Sequence, residues 1–445
     1  MGRKHVATYT VSFPDGKYPV DYDPSIPDFE DFNPMIGELV DLSTATRTID
    51  TPTNITYELA NGLIIKFTGT GFDYELDEAV GGKISKIELM LGDGLTLVSS
   101  LAVNVSLAGF EDAVSSFDTW GVQSWLFNRA DKLNGSNGND DLFGFAGNDV
   151  LNGKGGDDFL AGGEGKDTYD GGAGAFDQLS FADSRGNPNA LGGIVLDAAK
   201  GTVADTFGNA ETFKNIEEFR GSQFADSMKG SGRDERFMGI GGRDTIDGKG
   251  GFDIVRYNRD ENQGGLGIGI SADLSDGTVK DGFGKTDKVS NIEGVIGTNY
   301  DDQLTGNAKD NFLRGEDGAD TISGGAGNDE LVGGGDADIF VFDTALNEVS
   351  NVDNIQDFNE SEDLIHLDIA IFTALAGTGT LGADEFLAVQ EGQDVVATSA
   401  DQRIIYDTVN GDIYYDADGS GAGAMKRFAT IASELSLTED NFVVI

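Results

Sequence analysis

The sequence predicts an all-β protein: blocks of stacked nine-residue units, with a small β-rich domain ahead of them and a β-domain behind. Three observations predict it. Nonapeptides recur in three places. Glycine reaches 65 residues against 7 prolines. A longer period of 76 residues overlies the first, with Asn215-Ile216-Glu217 returning as Asn291-Ile292-Glu293. A glycine excess without proline excludes collagen and proline-rich linkers and points to tight turns between short strands. Self-similarity at a fixed period marks a repeat architecture, in which each unit buries its apolar side only against its neighbours.

The first block starts at Gly135 and reads GSNGNDDLF, GFAGNDVLN, GKGGDDFLA and GGEGKDTYD, followed, after an extra Gly171, by GAGAFDQLS. The second starts at Gly221 with GSQFADSMK, GSGRDERFM, GIGGRDTID and GKGGFDIVR. The third starts at Gly297 with GTNYDDQLT, GNAKDNFLR, GEDGADTIS, GGAGNDELV and GGGDADIFV. Glycines come early in each unit, an acid stands sixth and an apolar residue eighth: Leu142, Leu151, Leu160, Tyr169 and Leu179 in the first block. Six residues turn the chain and three form a strand. Glycine reaches the positive φ of such a turn without steric cost.

The candidate metal positions are the early glycines and the sixth-place acids. In the first block they are Gly135, Gly138, Asp140, Gly144, Gly147, Asp149, Gly153, Gly156, Asp158, Gly162, Gly165, Asp167 and Asp177. In the second they are Asp226, Gly239, Gly242, Asp244, Gly248 and Asp253. In the third they are Asp302, Gly315, Gly318, Asp320, Gly324, Gly327, Asp329 and Asp338. Glu235 and Asn311 replace the sixth-place aspartate, and GSQFADSMK and GTNYDDQLT lack the inner glycines, so these units read as edge turns less suited to a metal.

The boundaries follow from the repeats. Residues 1–128 form the β-rich N-terminal domain and 129–180 the first block. Residues 181–256 are an insert of about 40 residues with the second block, and 257–341 a second insert with the third block, since the 76-residue period demands a duplication. Residues 342–445 form the C-terminal β-domain. In the N-terminal domain, TNITYELA, Asn61-Gly62 and LIIKFTGTGFDY read as a hairpin. Residues 111–127 read as a capping helix and Asp21–Pro34 as an exposed loop.

The formal net charge is −48. Such a chain repels nucleic acid and anionic membrane surfaces. Bound cations relieve the self-repulsion, and carboxylates with backbone carbonyls suit calcium, which takes six to eight oxygens. One turn supplies too few, so the ion belongs between stacked turns, and Ca2+ is the expected cofactor, several ions per chain. There is no cysteine, which excludes disulfides and thiolate metal sites. The two histidines, His5 and His366, are far apart, and no HExxH motif is present. His366 reads as an ordinary strand residue. The N-terminus lacks the apolar core of a cleaved signal, and no stretch is long enough to span a bilayer.

The pattern GGxGxDxUx in GGEGKDTYD and GGAGNDELV resembles that of the RTX (repeats-in-toxin) proteins, over about half the chain. The resemblance implies a parallel β-roll with calcium in its turns. IQDFNESEDLIHLD and IYYDADGSGAG resemble the closing region of serralysin-like RTX proteins, and EDNFVVI looks like an uncleaved type I secretion signal. These likenesses imply a secreted, extracellular protein, with the type I apparatus as a partner, that folds on meeting calcium outside the cell. The turn Asp416-Ala417-Asp418-Gly419 reads as an ordinary turn, with a further ion site as the alternative.

RTX segments accompany many activities, so the fold leaves the activity open. Neither a zinc-protease motif nor a GxSxG elbow occurs. The leading reading is a non-enzymatic adhesion, surface or matrix protein, with polysaccharide as a possible ligand class. The alternative is a polysaccharide-active hydrolase with residues 1–128 as its head, where Glu75, Asp77 and Glu78 form a candidate acid cluster. A membrane-active factor is the weaker third option.

Overall fold

The computed structural model describes residues 8–11, 46–58, 64–75, 78–90, 97–106, 110, 124 and 126–445. His5, Asp21–Pro34, Asp77 and most of the expected helix 111–127 lie outside the described residues. The chain divides into two compact units, Met1–Ser222 and Gln223–Ile445.

The first unit opens with an antiparallel sheet. Thr46–Thr51, Asn54–Glu58, Ile64–Glu75, Glu78–Met90 and Leu97–Ser106 pair in succession, and Thr8–Val11 closes against Leu97–Ser106. The expected hairpin is present, with Glu58 opposite Ile64. Glu75 stands opposite Glu78 in register where the next hairpin turns. Ile55, Ile65, Phe67, Ile84 and Ile87 are fully buried, as the alternation of apolar and polar residues requires.

Thr8–Val11 also pairs in parallel with Lys132–Asn134, where the stacked units begin. From here the ladders are parallel. Lys132–Asn134, Val150–Gly155 and Thr168–Ala173 form one sheet, and Asp141–Phe143, Phe159–Ala161 and Gln178–Ser180 the other. The register explains the nine-residue period: Val150 pairs with Thr168 and Asp141 with Phe159. Each strand therefore meets the strand two units away, and consecutive units fall on opposite sheets. One full turn of this β-roll is two nonapeptides. The eighth-place residues Leu142, Leu151, Leu160, Tyr169 and Leu179 are all at most 1% exposed, because strand alternation aims every one of them inward.

The second unit repeats this arrangement. Arg236–Met238, Ile254–Arg256, Gly294–Ile296, Phe312–Asp317 and Glu330–Gly335 stack in parallel on one sheet, and Gln303–Thr305, Thr321–Ser323 and Ile339–Phe342 on the other. Each insert contributes a small antiparallel hairpin, Val195–Asp197 with Thr202–Ala204 and Ser271–Asp273 with Thr278–Lys280. Gly201 and Gly277 take the left-handed conformation at the two hairpin ends. The chain then rejoins the roll at Ala210–Lys214 and Thr286–Ser290.

Parallel pairing does not stop where the glycine-rich units stop. Asp353–Ile355 continues one sheet beside Glu330–Gly335, and Leu364–Leu367 continues the other beside Ile339–Phe342. His366 lies in the latter strand, opposite Val341 and Val443. The last strand, Phe442–Val444, pairs in parallel with Leu364–Leu367, and Phe442 is fully buried. Phe386–Val389, Ile404–Asp407, Asp412–Tyr415 and Lys426–Thr430 form a smaller curl that joins the roll at Asp353–Ile355.

This packing fixes one expected result. Leu160→Ala removes a fully buried side chain from the stack and should cost about 2–5 kcal/mol in urea unfolding with calcium present. Val150→Thr, at a 42% exposed strand position, should stay within about 0.5 kcal/mol.

Candidate metal centres in the turns of the roll

Every sixth-place carboxylate is pulled under the roll by the strand that follows it. The acid precedes the buried eighth residue by two positions, so it leaves the strand on the same inward-facing side. Asp149, Asp158, Asp167, Asp177, Asp244, Asp253, Asp302, Asp320, Asp329 and Asp338 are buried. One side-chain oxygen accepts the backbone N–H of the acid one full turn earlier. Asp140 N donates to Asp158 Oδ1 at 2.8 Å, Asp149 N to Asp167 Oδ1 at 2.7 Å and Asp158 N to Asp177 Oδ1 at 2.9 Å. Asp226, Asp302, Asn311 and Asp320 donate likewise to Asp244, Asp320, Asp329 and Asp338.

The other oxygen is the chemical signal. Oδ2 of Asp149, Asp158, Asp177, Asp244, Asp253, Asp320 and Asp329 is buried without a hydrogen-bond partner. A buried carboxylate oxygen left bare is costly unless a cation meets it. The first-place glycines keep the space around it clear. A methyl group on Gly144 would sit 2.5 Å from Asp149 Oδ2 and 2.6 Å from the Gly162 carbonyl oxygen. The same crowding holds at Gly153, Gly162, Gly239, Gly248, Gly315 and Gly324. The fourth-place Gly147, Gly156, Gly165, Gly242, Gly318 and Gly327 all have positive φ. Among the described residues no three acidic or histidine side chains converge. The donor set of each turn is thus one carboxylate with backbone carbonyls, a hard-oxygen set that fits calcium.

Burial dominates the electrostatics. It pushes Asp149, Asp158 and Asp320 up to about 8 and Asp244 up to about 10. Facing carboxylates add to the shift: Asp140 and Asp177 for Asp158, Asp302 and Asp338 for Asp320. Folded values above the unfolded value of about 3.9 mean that the metal-free fold binds extra protons. Their contribution to stability is full below about pH 4 and is lost as pH rises through the folded values near 8. In chelator, thermal unfolding should therefore occur at higher temperature at about pH 5 than at about pH 8.5. Calcium competes with those protons, so the calcium midpoint should rise as pH falls from about 8 to about 6. A midpoint independent of pH would contradict the assignment.

The structure adds acids that the spacing alone did not single out. Asp131 N donates to Asp149 Oδ1, so the degenerate unit LFNRADKLN is already a turn of the roll. Glu211 and Asp287 inside the inserts accept from Asp167 N and Asp244 N. Glu217 and Glu293, of the recurring Asn-Ile-Glu, accept from Asp177 N and Asp253 N. Each of these two glutamates follows its predecessor acid by a shortened half-turn, and the longer side chain spans the gap. Asn215 and Asn291 make that half-turn possible with φ of 53° and 52°. Asp353 and Asp363 extend the ladder by accepting from Asp329 N and Asp338 N. A common signal marks most of them: an acid two residues before a buried apolar residue, as in Asp131 and Leu133, Glu211 and Phe213, or Asp353 and Ile355.

Two expectations are refined. Gly171 itself takes the first-place position, since a methyl on it would meet Asp177 and the Asn215 carbonyl. The extra residue of that unit therefore lies later in the turn, before Asp177. The turn at Asp416 closes on its own backbone, with Asp418 N donating to Asp416 Oδ1 and Gly423 N to Asp418 Oδ2.

The family model described as the RTX calcium-binding nonapeptide repeat (4 copies) matches residues 127–160, 143–175, 220–256, 296–331 and 315–343. No curated protein matches the chain. Among solved structures the chain is similar to the AlgE6R3 subunit of the Azotobacter vinelandii mannuronan C5-epimerase, at 19% identity and a TM-score of 0.19, covering 50% of this chain and 78% of that one. It is also similar to the extracellular lipase LipA from Serratia marcescens, at 15% identity and a TM-score of 0.17, covering 72% of this chain and 39% of the lipase. RTX nonapeptides bind calcium ions, and the matched residues include most of the turns that carry the bare carboxylates. The chain thus carries RTX calcium-binding nonapeptide repeats within an all-β fold of parallel-stranded sheets.

Proposed function

We propose that this is a secreted protein whose roll folds on calcium and whose N-terminal sheet then acts without catalysis, in adhesion to a cell surface or an extracellular matrix. The observation that carries the calcium part is the row of buried, partnerless Oδ2 atoms at Asp149, Asp158, Asp177, Asp244, Asp253, Asp320 and Asp329. These oxygens, with carbonyls of the glycine-rich turns, would hold the ions. A bound ion supplies the positive charge that lets facing carboxylates stay ionised inside the roll.

Export before folding is supported by the C-terminal strand. Phe442 and Val444 are buried in the sheet beside Leu364–Leu367, so an apolar signal there is legible only in the unfolded chain. A cytosol poor in calcium keeps the chain in that state. The acidic surface opposes binding to anionic membranes and favours ligands approached through bridging cations or neutral sugars.

A pulldown on whole cells and on exopolysaccharide tests the adhesive role. Retention in calcium and its loss in chelator is the expected outcome. Equal retention in both conditions would count against it. Carbohydrate or ester turnover abolished by a single carboxylate change in residues 1–128 would establish the hydrolase reading instead.

A further inference from the structure

The turns of the roll come in two backbone states, and the residue at the second place of each unit chooses between them. In one state the second residue is left-handed, and so is the fourth in every such unit except that of Gly171, where Gly172 alone is. The pairs are Phe145 and Gly147, Lys154 and Gly156, Ile240 and Gly242, Lys249 and Gly251, Glu316 and Gly318, and Gly334 and Asp336. The glycine pairs 163 and 165, and 325 and 327, behave alike. Side chains such as Ile240 and Phe145, with φ of 69° and 65°, are held there against their steric preference. Such strain persists only where the surroundings enforce it.

In the other state neither residue is left-handed, although Gly138 could be. The second residue is then serine, threonine or asparagine, and it closes the turn on itself. Ser136 N donates to Asp140 Oδ2, the Ser136 hydroxyl donates to the same oxygen at 2.9 Å, and Gly138 N donates back to Ser136 Oγ at 3.0 Å. Thr298 N and Oγ1 donate to the two Asp302 oxygens at 2.6 and 3.0 Å, and Tyr300 N donates to Thr298 Oγ1. Ser231 with Glu235, Asn307 with Asn311, and Asn359 with Asp363 repeat the pattern. The bare Oδ2 atoms and these closures do not overlap: none of Asp140, Glu235, Asp302 or Asp363 has a buried oxygen without a partner. In several stacks a self-closed turn precedes a strained one, as Gly135 precedes Gly153 and Gly297 precedes Gly315.

We infer that calcium is coordinated only by the acids of the strained turns, and that the hydroxyl- or amide-closed turns are metal-free end pieces whose side chains replace the ion with their own hydrogen bonds. This rests on the calcium reading above and narrows the ligand set expected from spacing by removing Asp140, Asp302 and also Asp226, whose turn has no left-handed residue at Ser222 or Phe224. The self-closed turns then offer the strained turns that follow them a preformed layer to stack on, and the Asn359 turn closes its stack after that of Gly333.

Ion counting by native mass spectrometry on the full-length chain in saturating calcium tests this. Asp158→Asn and Asp320→Asn should each lose at least one ion. Asp140→Asn and Asp302→Asn should keep the wild-type number, and so should Thr298→Ala, which removes the hydroxyl closure without touching a carboxylate. An ion lost from Asp140→Asn or Asp302→Asn, with wild-type β-sheet circular dichroism, would overturn the inference and leave the calcium reading standing. A wild-type chain that binds no calcium would overturn both.

Discussion

Purified protein in excess chelator near neutral pH is expected to lose most of its β-sheet circular dichroism, and to recover it on addition of millimolar calcium. The size of the effect follows from how the roll is held together. Each turn of the stack places a carboxylate over the backbone N–H of the acid one full turn earlier, so acids lie in columns along the roll. Two like charges at about 5 Å repel by roughly 3 kcal/mol at an effective dielectric near 20. Without metal, neutral pH leaves two costly choices. Either the carboxylates ionise and repel, or they take protons that Asp149, Asp158 and Asp320 hold only up to about pH 8. Repeat stacks gain stability from neighbour contacts alone, so losing several turns removes the partners of those that remain. Among its described residues the antiparallel sheet at Asn54–Met90 carries no such column, and it should keep its own signal.

Gly144→Val is expected to be strongly damaging to the first block. The new side chain would need the space now held by Asp149 Oδ2 and the Gly162 carbonyl, 2.5 and 2.6 Å from its first carbon. Both groups are held by the turn, and neither is the free end of a flexible chain. Relief requires moving the carboxylate, which carries its bond to Asp131 N with it. The variant should lose at least one calcium ion and several kcal/mol of stability in calcium, an effect of the order of breaking a buried polar network. Gly186→Val, in an insert turn where nothing crowds the glycine, provides the contrast. Its left-handed φ of 74° should cost only about 1–2 kcal/mol, with the ion count unchanged.

Much of this was legible in the residues. The period of nine, the acid at the sixth place and the apolar residue at the eighth dictate a turn, a strand and an inward side chain, and the burial of Leu151, Leu160, Leu313 and Leu331 follows directly. The duplication was legible too, since Asn215 and Asn291 occupy the same left-handed position in two copies of one shortened half-turn. Three features were not. Pairing between units two apart, as Val150 with Thr168, depends on consecutive units crossing to opposite sheets, which no single unit encodes. Glu211 and Asp287 were hidden because the inserts lack glycine-rich turns around them, although each precedes a buried Phe213 or Val289 by two places. The roll also runs on through Asp353 and Asp363, where the glycines have gone but the acid and the buried Ile355 and Ile365 keep their spacing. The hydrophobic and acidic pattern therefore outlasts the glycine pattern, because packing needs the first two at every turn and needs glycine only where the backbone is left-handed.

A crystal structure of the full chain grown in calcium, with the ions located by anomalous scattering, is the most direct measurement. The account predicts ions about 2.3–2.6 Å from Oδ2 of Asp149, Asp158, Asp320 and Asp329, and none against Asp140 or Asp302. The same roll with those oxygens bound only to water or to a shared proton, and no ion in any turn, would contradict it.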